Sequence, residues 1–392
     1  MPLSQRESIM KSTFFFPVIC ALSLLGGAGC KSYVDPVGPG GGGSGGGDAA
    51  GGSGGSGTTS TGGVDNGCPA GDAPSPQAEL IVTGQAGALA ADDAWVFFVG
   101  SEPVPYRVPV CGGTPAPVVP ADGIGDGSGS VLVVLDPTHV YWTAYQSTSS
   151  TYELWRAPKG GGTPELLTDE VGPNNASPAA IAVDDAFVYL TLPDIYNAND
   201  GVENLNGVIR RVPKAGGPAE DLAQQFSYTL AVDGSSVYWS RQNPDGTASV
   251  IRANKDGSGA APLVTEIGPV DGFATAGDRL FWTYSDAGVF YLRTSENGGP
   301  PLTLASTDTY VGTPAATANA IYWLRPGDTS SGAVLRLATD GTLTQLTQSP
   351  ASANAPFFYG SYGPRVAVNG TGVFWSYEGD AGGAPRIYRI AR

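Results

Sequence analysis

The chain has 392 residues, with 20 Lys and Arg against 36 Asp and Glu, a net charge of −16, and only 14% charged residues. So acidic a surface repels phosphate backbones and excludes nucleic acid as a partner, and a single His, His139, leaves little scope for imidazole chemistry. Gly (58) and Pro (32) are frequent, half of the excess in one segment and the rest at turns, as an all-β repeat requires.

In chain order, Arg6 and Lys11 precede an apolar run centred on Phe14-Phe15-Phe16 and Leu22 to Leu25. This is a basic region followed by a hydrophobic one too short to favour a spanning helix, and it predicts a signal peptide over 1–29. The run closes on Gly27-Ala28-Gly29-Cys30, which resembles a bacterial lipobox. The resemblance implies lipidation of Cys30, a membrane tether and a place in the cell envelope facing the periplasm or exterior; a plain secretory signal and an uncleaved anchor are the alternatives. Residues 30–77 are expected to be a Gly- and Ser-rich flexible tether, with 16 Gly between 38 and 67. Too little apolar surface is present there to offset the entropy of ordering.

From residue 78 to 392 one unit recurs. Its second strand reads Val96-Phe97-Phe98, Val140-Tyr141-Trp142, Val188-Tyr189-Leu190, Val237-Tyr238-Trp239, Leu280-Phe281-Trp282, Ile321-Tyr322-Trp323 and Val373-Phe374-Trp375. The last residues of these runs go from 98 to 375 in six steps, about 46 residues each, which suits a four-stranded blade. Asp136-Pro137, Asp184-Asp185, Asp233-Gly234 and Asn369-Gly370 stand just before four of them and predict the turns between strands one and two. The fold class expected is all-β, a seven-bladed β-propeller.

The last repeat stops at Arg389-Ile390-Ala391-Arg392 without a fourth strand, and Glu79-Leu80-Ile81-Val82-Thr83 precedes the first repeat without a blade of its own. The N-terminal segment is therefore expected to complete the last blade as its outer strand and close the ring. Each third strand ends on an Arg (107, 156, 211, 252, 293, 336, 389). The expectation is that each lies along a blade edge, covers apolar surface with its stem and pairs with a nearby Asp.

Tyr141-Trp142-Thr143 and Phe281-Trp282-Thr283 resemble the signature of the YWTD β-propellers and of related bacterial repeat lipoproteins. The resemblance covers about residues 78 to 392 and implies binding and scaffolding, with some enzymes among the relatives.

Two cysteines remain beyond the N-terminal segment. Cys111 falls in the turn between strands three and four of the first blade and Cys68 ten residues before the closing strand, so an exported chain is expected to join them. His139 reads as a turn residue, and no catalytic residues are proposed.

The loops between strands two and three, and those leading to the next blade, open on one face. Tyr145, Tyr284 and Tyr377 follow second strands there, and Asp194, Tyr196, Asn197, Asn199, Asp200 and Glu203 occupy one long loop. Aromatic groups with amide and carboxylate neighbours suit a protein, peptide or glycan ligand. Calcium on the oxygens of the 194–204 loop, or a merely solvated loop, are the other readings, and no further cofactor is expected. The sequence thus predicts a monomeric, membrane-tethered, non-catalytic binding or scaffolding module. The rivals are a lyase or glycoside hydrolase with carboxylates at the central opening, and a purely structural envelope protein.

Overall fold

The computed structural model describes Cys68 and residues 77–84, 87–100, 102–126, 130–169, 171, 177–193, 207–308, 311–325, 333–348, 366–377 and 386–392. The expected signal peptide, Cys30, the tether and the 194–203 loop residues lie outside the described residues.

Among the described residues every regular element is a strand, and the strands form seven four-stranded antiparallel sheets. Blade 4 shows the plan: Leu230–Val232, Ser236–Gln242, Ala248–Asn254 and Ala261–Glu266 pair in sequence order, from the innermost strand outwards. Innermost strands of successive blades neighbour one another right round the ring, and those of blades 7 and 1 also meet. This is the seven-bladed β-propeller that the repeats predict.

The repeated aromatic pair explains how blades stack. Successive side chains of a strand point to opposite faces. In blade 2, Tyr141 enters a core with Val188 and Leu190 of blade 3, whereas Trp142 enters one with Phe97 and Val118 of blade 1. A sheet with a neighbour on both faces has no solvent side, so its second strand reads as an unbroken apolar run instead of an alternating one. Trp142, Trp239, Trp282 and Trp375 are all fully buried, each contributing about 3 kcal/mol by burial alone.

Turns between the first two strands are built by side chains. Asp136 Oδ1 accepts from the amides of Thr138 and His139, and Asp184 and Asn369 do the same in their blades. Blade 5 lacks an Asp at the first position and turns instead through Gly277 in the left-handed region, φ +59.

The ring closes as the sequence predicts. Glu79–Thr83 pairs antiparallel with Arg386–Ala391 as the outer strand of blade 7, with Glu79 opposite Arg389 and a bulge between Leu80 and Val82. Cys68 and Cys111 form a disulfide with Cα atoms 5.7 Å apart, and Cys68 packs on the core shared by blades 7 and 1. The bridge therefore ties the chain just before the closing strand to blade 1.

The arginines behave differently from the expectation. Arg156 and Arg211 pair with Glu165 and Glu220 of their own outer strands, not with an Asp, and then reach across to the next blade, donating to the carbonyls of Lys214 and Lys255 at 2.6 and 2.8 Å. Arg107 bonds the Lys159 carbonyl in the same way, and Arg389 the Val110 carbonyl at 2.9 Å, which carries the pattern across the seam. These guanidiniums staple one blade to the next because a guanidinium has five donors, enough for Arg156, Arg211 and Arg389 to meet a carboxylate as well. Arg293 is out of step: it lies opposite Trp282, whereas Arg252 lies opposite Tyr238, so it points to the preceding blade and binds both oxygens of Glu266 at 2.8 Å.

Candidate ligand face

Innermost strands begin on the face where the loops between strands two and three also lie. In blade 2 this face is held by Asp126, which accepts from the Ser147 amide and, at 2.7 Å, from the Ser147 hydroxyl, while the Asp126 amide donates to the Tyr145 carbonyl. The Ser147 amide and hydroxyl bonds hold the exposed Asp126 carboxyl below the usual carboxylate range. The close approach of Gly125 belongs to the same clamp, since a Cβ there would stand 2.8 Å from the Tyr145 carbonyl oxygen.

Of the predicted ligand residues, Tyr145 is half-buried and tilted against Tyr152 at 5.0 Å between ring centres. Tyr284 is stacked on Tyr291 at 4.8 Å but only 8% exposed, so it supports the surface and Tyr291 is the more open ring of the pair. Tyr377 is placed by its backbone at the end of a strand, opposite Arg386. Asp194, Tyr196, Asn197, Asn199, Asp200 and Glu203 lie outside the described residues, and so does the calcium reading built on them. Among the described residues no three His, Cys, Asp or Glu side chains gather as a metal site. His139 is half-buried in its turn, Nδ1 2.8 Å from the Thr138 hydroxyl.

Register identifies two residues at the mouth of the central opening that sequence reading passed over. Leu230 faces Trp239 in blade 4 and Phe273 faces Trp282 in blade 5. Tyr228, two positions earlier, stands just before the innermost strand of blade 4; the register makes Val270 its counterpart in blade 5, and Asp271 is the extra residue that follows. Tyr228 is 54% exposed and meets Phe226 edge-on at 4.4 Å, and Ile267, just before the blade 5 strand, is 63% exposed. Asp271 sits in a bulge between Val270 and Gly272, and its Oδ2 is buried with no hydrogen-bond partner among the described residues. Burial pushes this carboxyl up to about 7, with no cation opposing the shift. Beside it, Gly272 lies flush against Thr313, where a Cβ would be 2.6 Å from the Thr313 Cα, and the Thr283 hydroxyl opposite Gly272 is also buried without a partner among the described residues. The signal that could have revealed this place is the break in repeat pattern: Val270-Asp271-Gly272 interrupts a strand with a charge and a glycine where neighbouring blades have neither combination.

No protein-family model and no curated protein matches the chain. Solved structures do match. An oligogalacturonate lyase in complex with manganese is 12% identical with a TM-score of 0.58, over 81% of this chain and 91% of that one. Virginiamycin B lyase from Staphylococcus aureus is 13% identical with a TM-score of 0.54, over 81% and 99%. A putative TolB from Agrobacterium tumefaciens is 14% identical with a TM-score of 0.42, over 56% and 80%. The likeness is one of fold. At such identities the propeller scaffold is shared and the site must be argued from its own residues.

Proposed function

We propose that this chain is an extracytoplasmic binding module, tethered to a membrane through Cys30, that takes a peptide or glycan ligand at the mouth of its central opening. The observation that carries the reading is an exposed aromatic shelf, Tyr228 on Phe226, before the innermost strand of blade 4, together with the half-buried carboxyl of Asp271 in the bulge that opens the innermost strand of blade 5. An apolar platform beside a polar group that both donates and accepts when protonated suits sugars and peptide amides. The disulfide supports an oxidising compartment, and the lipobox-like Gly27-Ala28-Gly29-Cys30 supports the tether. Saturation-transfer NMR of the chain with oligosaccharide and peptide panels tests this: a ligand is expected whose binding falls at least about tenfold in Tyr228→Ala. Retention of full affinity by that variant for every ligand found would overturn the placement of the site.

A second reading, a carbohydrate lyase or hydrolase, draws on the same Asp271, because a carboxyl that remains half-protonated near neutral pH is suited to proton transfer. Turnover of a uronate polymer, followed by the ultraviolet absorbance of the unsaturated product and abolished in Asp271→Asn, would favour it over simple binding.

A further inference from the structure

A cavity of about 220 Å³ opens between blades 5 and 6, away from the central opening. Its walls are Phe290 and Leu292 of the third strand of blade 5, Val311 from the connection, and Trp323, Leu335 and Leu343 of blade 6. The lining is mostly apolar, with Ser306, Thr307 and Arg325 its polar members, and it carries one buried donor. Trp323 is 3% exposed, yet its indole Nε1 is buried with no hydrogen-bond partner among the described residues.

The repeat supplies its own comparison. Trp142, Trp239 and Trp282 hold the same position in blades 2, 4 and 5, and each indole N–H is capped by an acceptor contributed from the preceding blade or the connection leaving it. The caps are the Pro103 carbonyl at 3.1 Å, Gln225 Oε1 at 2.7 Å and Glu266 Oε1 at 2.9 Å. Among the described residues Trp323 has no such cap, and neither has Trp375 in blade 7; Trp323 is the one of these two that lines the cavity. A buried donor without an acceptor costs about 1–3 kcal/mol, so a site retaining one beside a cavity is set to receive an acceptor from outside the chain.

We infer that the cleft between blades 5 and 6 is a binding site for a compact aromatic molecule carrying one acceptor oxygen, the ring filling the apolar walls and the oxygen capping the Trp323 indole N–H. The volume fits this class: an apolar cavity of about 150 Å³ admits benzene, so the larger space takes a ring with a short substituent. The exposed Leu343 and the polar Ser306 and Arg325 also border the cleft, and Arg325 donates to Gln345 Oε1 at 3.3 Å. The inference is independent of the reading of the central mouth.

Acetophenone and ethylbenzene are nearly equal in shape, and only the first carries an acceptor, so they are the probes. The full chain labelled with ¹⁵N has seven Trp, and Trp323→Phe assigns the indole resonance in question. Acetophenone is expected to move that resonance and to bind about fivefold more tightly than ethylbenzene, the factor for one net hydrogen bond, and Trp323→Phe should erase the preference. Ala305→Phe, which fills the cleft from the blade 5 side and leaves Trp323 in place, should remove binding of both probes while the other indole resonances keep their positions. Equal binding of the two probes, no movement of the Trp323 resonance in the folded protein, or binding that persists in Ala305→Phe would each overturn the inference. So would a Trp323 indole proton already shifted and protected in the free protein, since the chain would then cap it itself.

Discussion

Lys214 Nζ of blade 3 lies 2.5 Å from Asp136 Oδ2 of blade 2, and the same carboxylate oxygen accepts the Tyr141 hydroxyl at 2.7 Å. The relation recurs one blade on, where Lys255 meets Asp184 at 2.9 Å and Tyr189 donates to the same Asp184 oxygen. A turn-forming Asp thus serves three purposes: it builds its own turn, satisfies the buried Tyr of the next strand and receives a Lys from the following blade. Burial opposes the charge on Asp136, but Lys214, Tyr141 and the two turn amides hold its carboxyl well below the usual range, while burial and Asp136 push the Tyr141 phenol well above its own.

Asp136→Asn is therefore expected to destabilise the fold by about 3 kcal/mol, because it strands a Lys ammonium that is largely removed from solvent. A carboxyl lowered in the folded state contributes stability above its unfolded value near 4 and loses that contribution as pH falls further. Urea melts of wild type and variant should thus converge as pH falls from 5 towards 2. Equal sensitivity to acid in both would contradict the assignment.

Asp271 predicts the opposite slope. Its carboxyl is raised to about 7, so the folded state holds a proton that the unfolded chain releases near 4, and the contribution present at low pH declines as pH rises through 7. Asp271→Asn should flatten the stability profile between pH 4 and 7 and gain at most roughly 4 kcal/mol at pH 8. Carboxyl ¹³C titration of Asp271 checks the same point directly, and a midpoint near 4 would refute it.

Removing the Cys68–Cys111 bridge in Cys111→Ser should lower the melting temperature, with a loss of at most roughly 4 kcal/mol for a separation of 43 residues. The loss should appear as earlier amide exchange in Glu79–Thr83 and Arg386–Ala391 before the other blades, because the bridge tethers the closing strand. Uniform exchange across all blades would argue against that role.

At the seam, Arg389 is 5% exposed and is held by Glu79 at 2.5 Å and by the Val110 carbonyl. Glu79→Gln should cost only about 1 kcal/mol, since Glu79 is partly exposed. Deleting 79–83 also uncovers the partners of buried Ile81 and Val82, about 3–6 kcal/mol more, and should promote aggregation by leaving an open sheet edge. Light scattering after the deletion measures that outcome.

The architecture was legible because it rests on local chemistry repeated round the ring: an Asp or Asn that closes the turn in five blades, and adjacent aromatics buried on both faces of one strand in six. The strand swap was legible too, since a repeat lacking its fourth strand and a strand lacking its repeat can only complete each other. The two cysteines flanking that seam followed from the same count.

What the arginines do was not legible. Their spacing is regular, but whether a guanidinium meets its own blade or the next depends on the approach of two sheets, and at Arg293 a one-residue change of register reverses its direction. Asp271, Tyr228 and Trp323 were equally hidden, because each gains its character from residues distant in sequence: a carboxyl without a counterion, a ring beside the mouth, an indole whose cap is missing. The sequence by itself determined the repeat, the ring and its closure, where each residue reports on its neighbours along the chain. Only the tertiary structure decided which polar groups are buried without partners, because desolvation is set by the packing of one blade against another.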